Sequence, residues 1–223
     1  MLYSRYKNKD TNEDPKTSDV FENLMLLPDN VFWYILKQSC FNNEDMPKYS
    51  GKLLSYDFWP HWDPTGTNNS KYVEPDLYLE FEEFDVIIEA KYWENGGQYQ
   101  HQWKKEIIAY HNEKGKEKQF IFIAIGGNQS VVAETISVKK EKVKIYKCNW
   151  LSILVSVNKY QKQLEKIAVP DMNVSATLRL LDNIILAFNI NNVYNLEWFN
   201  SMISPKQMVS VSSIKNLGKL YKW

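Results

Sequence analysis

The sequence has few of the residues on which several common site types depend. It contains two cysteines and three histidines among 223 residues. Two cysteines, Cys40 and Cys148, cannot form a disulfide framework, and we expect both to be free thiols in a reducing cytosol. The histidines, His61, His101 and His111, share no metal-ligand spacing. Neither residue type therefore supports a zinc site.

Phosphate-loop motifs, long apolar runs and net charge are also absent. No GxxxxGK, GxGxxG or CxxC pattern occurs in the sequence. The longest purely apolar run, Phe120–Ile125, is too short to cross a bilayer, and the N-terminus lacks an apolar signal core. We therefore expect a cytoplasmic protein without membrane contact. Because 27 basic residues balance 27 acidic ones, any nucleic-acid binding must come from local basic patches.

What the sequence does contain is enough apolar material for one core. Hydrophobic residues make up 44% of the chain and aromatic residues 14%, which is typical of a folded globular protein. We interpret residues 1–223 as a single domain. Residues 1–12 are polar and expected to be flexible, and residues 169–223 are expected to form a helical C-terminal extension of the same domain.

Helical and strand-like patterns alternate along the chain, which predicts an α/β fold with a central mixed β-sheet flanked by helices. A first helix is expected to begin at Asp14, which is a good N-cap before Pro15. Further helices are predicted at Val31–Phe41, Gln98–Lys114, Trp150–Lys166 and Ser175–Phe188. Strands are predicted at Lys52–Pro60, in a hairpin between Val73 and Trp93, at Gln119–Gly127 and at Val143–Cys148.

The stretch Val73–Trp93 combines strand-forming apolar residues with many carboxylates. A turn at Glu82-Glu83 would place Asp76 opposite Glu89 and would sort the side chains onto two faces. The apolar face would hold Leu77, Leu79, Phe81, Phe84, Val86, Ile88 and Ala90. The other face would hold Asp76, Tyr78, Glu80, Asp85, Ile87, Glu89 and Lys91. Slipping the register by one residue would spoil the apolar face, so this register or one slipped by two is expected.

Two opposed carboxylates need an explanation, because the Cβ atoms of such a pair lie roughly 5 Å apart and like charges there are destabilising. Protonation of one carboxyl, a bound cation, or pairing with Lys91 would each resolve the repulsion. An ion-paired strand surface and a divalent-metal site are both compatible with the spacing. Glu80 and Asp85 lie nearer the turn, and we expect them to be solvated charges.

The same residues carry a resemblance to a known family. Pro75-Asp76 on one strand and Glu89-Ala90-Lys91 on the next resemble the motif of the PD-(D/E)XK nuclease superfamily. Apolar residues precede the glutamate, and the helical stretch "QWKKE", Gln102–Glu106, is similar to the Q-x-x-x-E helix of several branches. The resemblance covers roughly residues 14–150 and implies the restriction-endonuclease-like fold.

This resemblance implies an Mg²⁺-dependent deoxyribonuclease of a bacterial restriction or anti-phage system, with endonucleolytic or exonucleolytic cleavage left open. Asp76 and Glu89, with the backbone carbonyl of Ala90, would hold Mg²⁺, for which Mn²⁺ would be a substitute. Lys91 would polarise the attacking water and counter the charge that develops on the phosphate. Gln102 would orient a phosphate or Lys91. Glu22 is the first choice for the acidic residue of the N-terminal helix, and Glu13 and Asp14 compete for the same role.

The substrate and the assembly remain open at this point. Lys104 and Lys105 are candidates for phosphate contacts, because they lie on the helix that follows the motif. DNA is the expected partner, and a homodimer is plausible because paired cuts in duplex DNA usually need two active sites. The aromatic stretch Phe58–Asp63 could stack on a base or pack in the core. The alternative function is a catalytically inactive nucleic-acid-binding or assembly module on the same fold.

Overall fold

The structure is a computed structural model that describes residues 13–93, 96–167 and 172–195. The helices are α1 (Glu13–Leu24), α2 (Asp29–Ser39), α3 (Gln100–Lys114), α4 (Trp150–Glu165) and α5 (Met172–Ile190). The strands are β1 (Leu53–Phe58), β2 (Leu77–Phe81), β3 (Asp85–Ala90), β4 (Phe120–Ile125), β5 (Glu134–Val138) and β6 (Glu141–Cys148). The flexibility predicted for residues 1–12, and the end of the predicted C-terminal extension after residue 195, lie outside the described residues.

The strands form one six-stranded mixed sheet in the order β1-β2-β3-β4-β6-β5. Strands β3, β4 and β6 are parallel, while β1, β2 and β5 each pair antiparallel with a neighbour. The predicted α/β class with a mixed sheet flanked by helices is therefore confirmed. The sequence analysis missed β5, because it is a short edge strand whose buried residues, Ile136 and Val138, alternate with exposed polar ones.

The hairpin between β2 and β3 has the predicted register. Leu77 pairs with Ile88 and Leu79 with Val86, and the N–H of Phe81 donates to the carbonyl oxygen of Phe84 at 3.0 Å. This register turns the alternate apolar residues of both strands towards the larger core, while Tyr78 and Ile87 face the smaller one. The same register, continued one pair beyond the ladder, brings Asp76 opposite Glu89.

Two hydrophobic cores lie on the two faces of the sheet. The larger core packs the apolar face of the hairpin against α1, α2, α4 and α5, with Phe32, Trp33 and Trp150 fully buried. Each such side chain stabilises the fold by roughly 1.5–3 kcal/mol relative to exposure to water. The smaller core packs the other face against α3 through Trp103 and Ile107. The candidate site lies on this second side, between the sheet and α3.

The aromatic residues of the stretch Phe58–Asp63, which precedes the hairpin, pack in the two hydrophobic cores. Phe58 and Trp59 belong to the larger core and Trp62 to the smaller one. Trp62 packs its ring edge-on against Tyr78 with the ring centroids 5.7 Å apart. Core packing, and not base stacking, is therefore the use of these three rings.

Helix α5 is part of the same packed unit as the rest of the described chain. Leu181, Ile184 and Phe188 are buried in the larger core, and the side-chain amide of Asn191 donates to Oδ2 of Asp19 on α1 at 3.1 Å. The predicted helix over Ser175–Phe188 is confirmed and extends further at both ends. Within the described part of the chain, no helix has both the length and the hydropathy needed to span a bilayer.

The expectation that Asp85 is a solvated charge is wrong. The hydroxyls of Tyr78 and Tyr110 each donate to Oδ2 of Asp85 at 2.9 Å, and Nζ of Lys118 lies 2.8 Å from Oδ1. Asp85 is buried because α3 and the start of β4 cover this end of the hairpin, which the hairpin sequence alone does not reveal. Glu80 is half-buried and accepts a hydrogen bond from the Ser55 hydroxyl at 2.6 Å.

Candidate functional site

The structure brings together five of the predicted site residues, Asp76, Glu89, Ala90, Lys91 and Gln102, at the carboxyl end of β3. Oδ2 of Asp76 accepts a hydrogen bond from the backbone N–H of Ala90 at 2.7 Å. Oε1 of Glu89 accepts from Nζ of Lys91 and from the side-chain amide of Gln102 at 2.5 Å. Two carboxylates from adjacent strands, an ammonium and an amide from α3 thus form one connected group.

The backbone of Lys91 is fixed from two sides, although the residue lies just beyond the end of β3. Its N–H donates to the carbonyl oxygen of Ile125 at 2.8 Å, which extends the parallel pairing with β4. Its carbonyl oxygen accepts from the indole N–H of Trp150 at 2.7 Å. Trp150 is itself held by the start of α4, where Asn149 and Ser152 form a capping box. The ammonium of Lys91 is therefore carried by a rigid backbone.

The double glycine after β4 makes room for Lys91. Gly126 and Gly127 have φ angles of +63° and +62°, a conformation that strains other residues. A Cβ at Gly126 would lie 2.6 Å from the carbonyl oxygen of Lys91, and one at Gly127 would lie 2.8 Å from its Cγ. The sequence analysis used these glycines only to end a strand. Their close approach to Lys91 makes them part of the wall of the site.

One part of this group of residues is buried and another part is exposed to solvent. Glu89 is 1% exposed, whereas the side chain of Lys91 is 20% exposed. Asp76 is buried and Gln102 half-buried. Electrostatic interactions are stronger in such a partly dry environment than on an open surface. The arrangement presents the ammonium to solvent while it keeps both carboxylates largely away from water.

A third buried carboxyl, that of Glu106, belongs to the same group. Burial, and after it the charge of Asp76, raises the pKa of Glu106 to about 8. Burial and the charge of Glu106 likewise raise the pKa of Glu89 well above its usual range, against the opposing effect of Lys91. Oε2 of Glu106 has no hydrogen-bond partner among the residues that the structure describes. Glu89 and Glu106 therefore titrate as a pair that retains a proton near neutral pH.

Glu106 was missing from the predicted site residues, although it ends the "QWKKE" stretch. It lies four residues after Gln102, one turn along α3, so both side chains point to the same side of the helix. That spacing was the signal that could have identified it. Sequence reasoning gave no reason for its burial, because the position of α3 over the sheet depends on the packing of Trp103 and Ile107.

The repulsion between Asp76 and Glu89 is resolved inside the chain. Lys91 forms an ion pair with Glu89. Pairing with Lys91 was one of the three ways in which the sequence analysis allowed this repulsion to be relieved. The hydrogen bond from the N–H of Ala90 to Asp76 adds a second stabilising contact that the alternatives did not include. A carboxylate that accepts a backbone N–H is stabilised in its charged form.

The oxygen donors of the site fit a hard divalent cation that takes few ligands from protein. Among the residues in the described ranges, no group of three or more His, Cys, Asp or Glu is arranged as a metal site. Mg²⁺ commonly uses only one or two carboxylates and keeps several waters. Asp76, Glu89 and the carbonyl of Ala90 offer that smaller set, and the unpartnered Oε2 of Glu106 is a buried oxygen in the same group.

The roles predicted for Glu22, Lys104 and Lys105 remain predictions. Glu22 is half-buried on α1. Lys104 and Lys105 are half-buried on the same helix as Gln102. Nζ of Lys105 donates to Oδ1 of Asn69 at 3.1 Å, and this contact ties the loop before the hairpin to α3. A role for either lysine in phosphate binding is neither supported nor opposed by these contacts.

Comparison with known proteins gives one relative and no family. No family model matches the chain. Over 134 residues the chain is 32% identical to the uncharacterized protein PM0110 of Pasteurella multocida strain Pm70, a match that covers 59% of this chain and 49% of that protein. The chain thus spans about half the length of the curated relative that it matches. The name of that relative states no activity, so the function of this chain has to be argued from its site.

Proposed function

We propose that the chain is a metal-dependent nuclease that hydrolyses phosphodiester bonds in DNA. The observation that carries the proposal is the placement of Asp76, directly before β2, beside the end of β3, where Lys91 is hydrogen-bonded to Glu89. The resemblance of these residues to the PD-(D/E)XK motif supports the same activity. The restriction or anti-phage setting rests on that resemblance alone.

The chain would contribute the metal ligands and the ammonium of Lys91, and it would hold that ammonium in a fixed position. Asp76, Glu89 and the carbonyl of Ala90 would hold Mg²⁺ or Mn²⁺, and the bound ion would lower the pKa of the attacking water and stabilise charge on the phosphate. Lys91 would hold that water and counter the developing negative charge. Because the backbone of Lys91 is fixed by Ile125 and Trp150, the ammonium needs little reorganisation.

Gln102 and Glu106 would act through Glu89. The amide of Gln102 donates to Oε1 of Glu89 and so fixes the orientation of the carboxylate. Because burial raises the pKa of both Glu89 and Glu106, the pair carries fewer than two negative charges at neutral pH. We therefore regard both as positioning residues.

One observation favours the alternative of a catalytically inactive binding or assembly module. In the structure the carboxylates of Asp76 and Glu89 are satisfied by Ala90, Lys91 and Gln102, so the fold needs no cation at this point. Calorimetric titration with Mn²⁺ separates the two functions. A nuclease should show binding that disappears in Asp76→Ala, whereas an inactive module should show no binding that depends on Asp76.

Cleavage of closed circular DNA tests the proposal directly, because a circle has no ends and reports endonuclease action alone. Circular double-stranded and circular single-stranded DNA should each be incubated with Mg²⁺ and the wild-type chain, Asp76→Ala or Lys91→Ala. Glu83→Gln is the matched control, because Glu83 is an exposed carboxylate at the turn of the same hairpin. We expect cleavage by the wild-type and control proteins only. Equal cleavage by all four proteins contradicts the proposed site. No cleavage of circles by any of them, together with no degradation of the same DNA after linearisation, contradicts the proposed activity.

A further inference from the structure

Two lysine-bearing loops that are separate in the sequence meet at the end of α3. One is the loop after α3, which carries Lys116. The other is the two-residue turn Lys139-Lys140, which joins β5 to β6 where Val138 pairs with Glu141. All three lysines are exposed, and they line one cavity of about 530 Å³. In a chain without net charge, this cavity holds a local excess of positive charge.

The two loops are held together by a histidine of α3. Nε2 of His111 lies 3.0 Å from Oε2 of Glu141, and Nδ1 of the same ring lies 3.0 Å from the carbonyl oxygen of Gly115. Among the described residues that line the cavity, Glu141 is the one carboxylate, and His111 engages it. Within the described ranges, none of the three lysine ammonium groups forms an ion pair or a hydrogen bond with a side chain. Their charges are therefore available to a ligand.

The turn that carries two of these lysines is strained. Lys139 has a φ of +54°, a conformation that strains a residue with a side chain and that glycine adopts freely. The first position of a two-residue hairpin turn usually holds glycine, asparagine or aspartate when its φ is positive. Lysine at this position therefore provides a charge where glycine would provide stability. Strain of this kind is a reason to look for a function.

The cavity lies on the same side of the sheet as the candidate site. Two of its lining residues, Ile108 and Val138, pack in or against the smaller core. Helix α3 runs between the two places, because Gln102 in its first turns is hydrogen-bonded to Glu89. His111 follows Gln102 on this helix by nine residues, which is about 14 Å along the helix axis. About four base pairs of duplex DNA cover the same distance.

We propose that this cavity is a docking surface for the phosphate backbone of duplex DNA, which Lys116, Lys139 and Lys140 contact about four base pairs from the candidate site. The inference rests on the proposed nuclease function, because α3 connects the cavity to that site. No Phe, Tyr or Trp is among the described residues that line the cavity, so it offers a base no such ring for stacking. Lysines without such rings contact phosphates and do not read the sequence. The surface therefore suits a duplex, whose bases are covered, and adds affinity for any sequence.

The salt dependence of binding to a short labelled duplex, measured by fluorescence anisotropy, tests the surface. The full chain should carry Lys91→Ala and be kept in Mg²⁺, so that the DNA is not cut during the measurement. Adding Lys139→Gly with Lys140→Ala should weaken binding at low salt. It should also lower the slope of log affinity against log salt by about 0.9 for each phosphate contact that is lost. Lys116→Ala should cause a further loss of the same kind, and Lys140→Arg should cause none.

Lys159→Ala with Lys166→Ala is the matched control, because it removes the same net charge. Both lysines are exposed and lie on or directly after α4, which packs on the other face of the sheet. This control should leave the slope unchanged. Lys139→Gly alone should raise the melting temperature by relieving the strain at that position, so its weaker binding could not come from unfolding.

Three results would overturn the docking surface. They are a parent that does not bind the duplex, a slope that Lys139→Gly with Lys140→Ala leaves unchanged, and an equal loss of slope in the control. Poly-glutamate that binds as tightly as DNA at equal charge concentration would overturn DNA as the partner and indicate an acidic protein instead.

The outcomes also separate the surface from the nuclease proposal. Cleavage that depends on Asp76, with a salt slope indifferent to the three lysines, would remove the surface and leave the nuclease. A slope that depends on the lysines, without cleavage that depends on Asp76, would leave a DNA-binding surface on an inactive module. If both proposals hold, Lys139→Gly with Lys140→Ala in the otherwise wild-type chain should raise KM for duplex DNA and leave kcat nearly unchanged.

Discussion

The carboxylate of Asp76 accepts a hydrogen bond from the backbone N–H of Ala90, with 2.7 Å between Oδ2 and the nitrogen. This bond joins the residue before β2 to the last residue of β3, and both residues belong to the proposed ligand set. It fixes the distance between Asp76 and the peptide group that follows Glu89. The proposed ligand set is thus preorganised by a contact that exists without a metal.

Substitution of Asp76 should separate the structural role of this bond from the catalytic role. Asp76→Ala leaves the buried N–H of Ala90 without its partner, so we expect a loss of about 1–3 kcal/mol in the free energy of unfolding. Asp76→Asn retains a carbonyl oxygen that can accept the bond and should lose less stability. Both variants should lose cleavage activity. Urea unfolding and cleavage assays check this, and an active Asp76→Asn variant would show that the charge of Asp76 is not needed.

Substitution of Gly127 should harm activity through Lys91. Gly127→Ala places a Cβ 2.8 Å from Cγ of Lys91, so we expect the lysine side chain to be displaced and cleavage to fall at least tenfold. Gly115→Ala is the matched control, because Gly115 also has a positive φ, of +80°, but its Cβ would meet no atom within 4 Å.

Both glycine variants should lose about 1–3 kcal/mol of stability from backbone strain. Gly127→Ala should lose more than Gly115→Ala, because its Cβ would also lie 2.6 Å from the carbonyl oxygen of Gly96. Only Gly127→Ala should lose specific activity per folded molecule. If the two variants retain the same specific activity, the wall of the site does not control the position of Lys91.

The free energy of unfolding of the metal-free protein should decrease as pH rises from about 4.5 to about 8, because of the carboxyl of Glu106. The pKa of this carboxyl is raised from 4.5 to about 8 in the folded chain. Between these values the folded state holds a proton that the unfolded state releases, so unfolding becomes easier at a slope of about 1.4 kcal/mol per pH unit. Above about pH 8 this contribution no longer changes.

Glu106→Gln should remove this part of the pH dependence, because the amide is neutral at every pH. The measurement is urea unfolding from pH 5 to pH 9 in a chelator, with wild type and variant compared at each pH. Parallel curves for the two proteins would show that Glu106 ionises normally in the folded chain.

Asp85 should matter for stability and not for cleavage. Asp85→Ala leaves the buried hydroxyls of Tyr78 and Tyr110 without their shared acceptor and removes the ion pair with Lys118. We expect a loss of about 3 kcal/mol in the free energy of unfolding. Asp85 begins β3 whereas Glu89 lies near its end, so specific activity per folded molecule should stay unchanged. A loss of activity in folded Asp85→Ala would show coupling between the two ends of the strand.

The hairpin could be predicted from the sequence because its register is determined by residues within the hairpin itself. Alternation along Leu77–Phe81 and Asp85–Ala90, which puts most of the apolar residues on one face, allows few registers. The position of Asp76 opposite Glu89 follows from that register. Gln102 was identified through its place in the "QWKKE" stretch, which also contains Glu106.

The remainder of the site depends on packing between distant parts of the chain. The burial of Asp85 requires Tyr110 and Lys118 to cover the turn end of the hairpin, and nothing in the hairpin sequence indicates this. The strain at Gly126-Gly127 becomes meaningful only when Lys91 lies against it. Strand β5 has too few apolar residues to stand out, because it lies at the edge of the sheet.

The most direct test of the proposed function is a crystal structure of the chain soaked in Mn²⁺, with anomalous diffraction to locate the ion. We predict one anomalous peak between Asp76 and Glu89, with ligands from both carboxylates and from the carbonyl oxygen of Ala90. The ammonium of Lys91 should then have moved from Glu89 towards the metal-bound water. A structure without a peak at this position, in which Lys91 still pairs with Glu89, would contradict the proposal and favour an ion-paired scaffold.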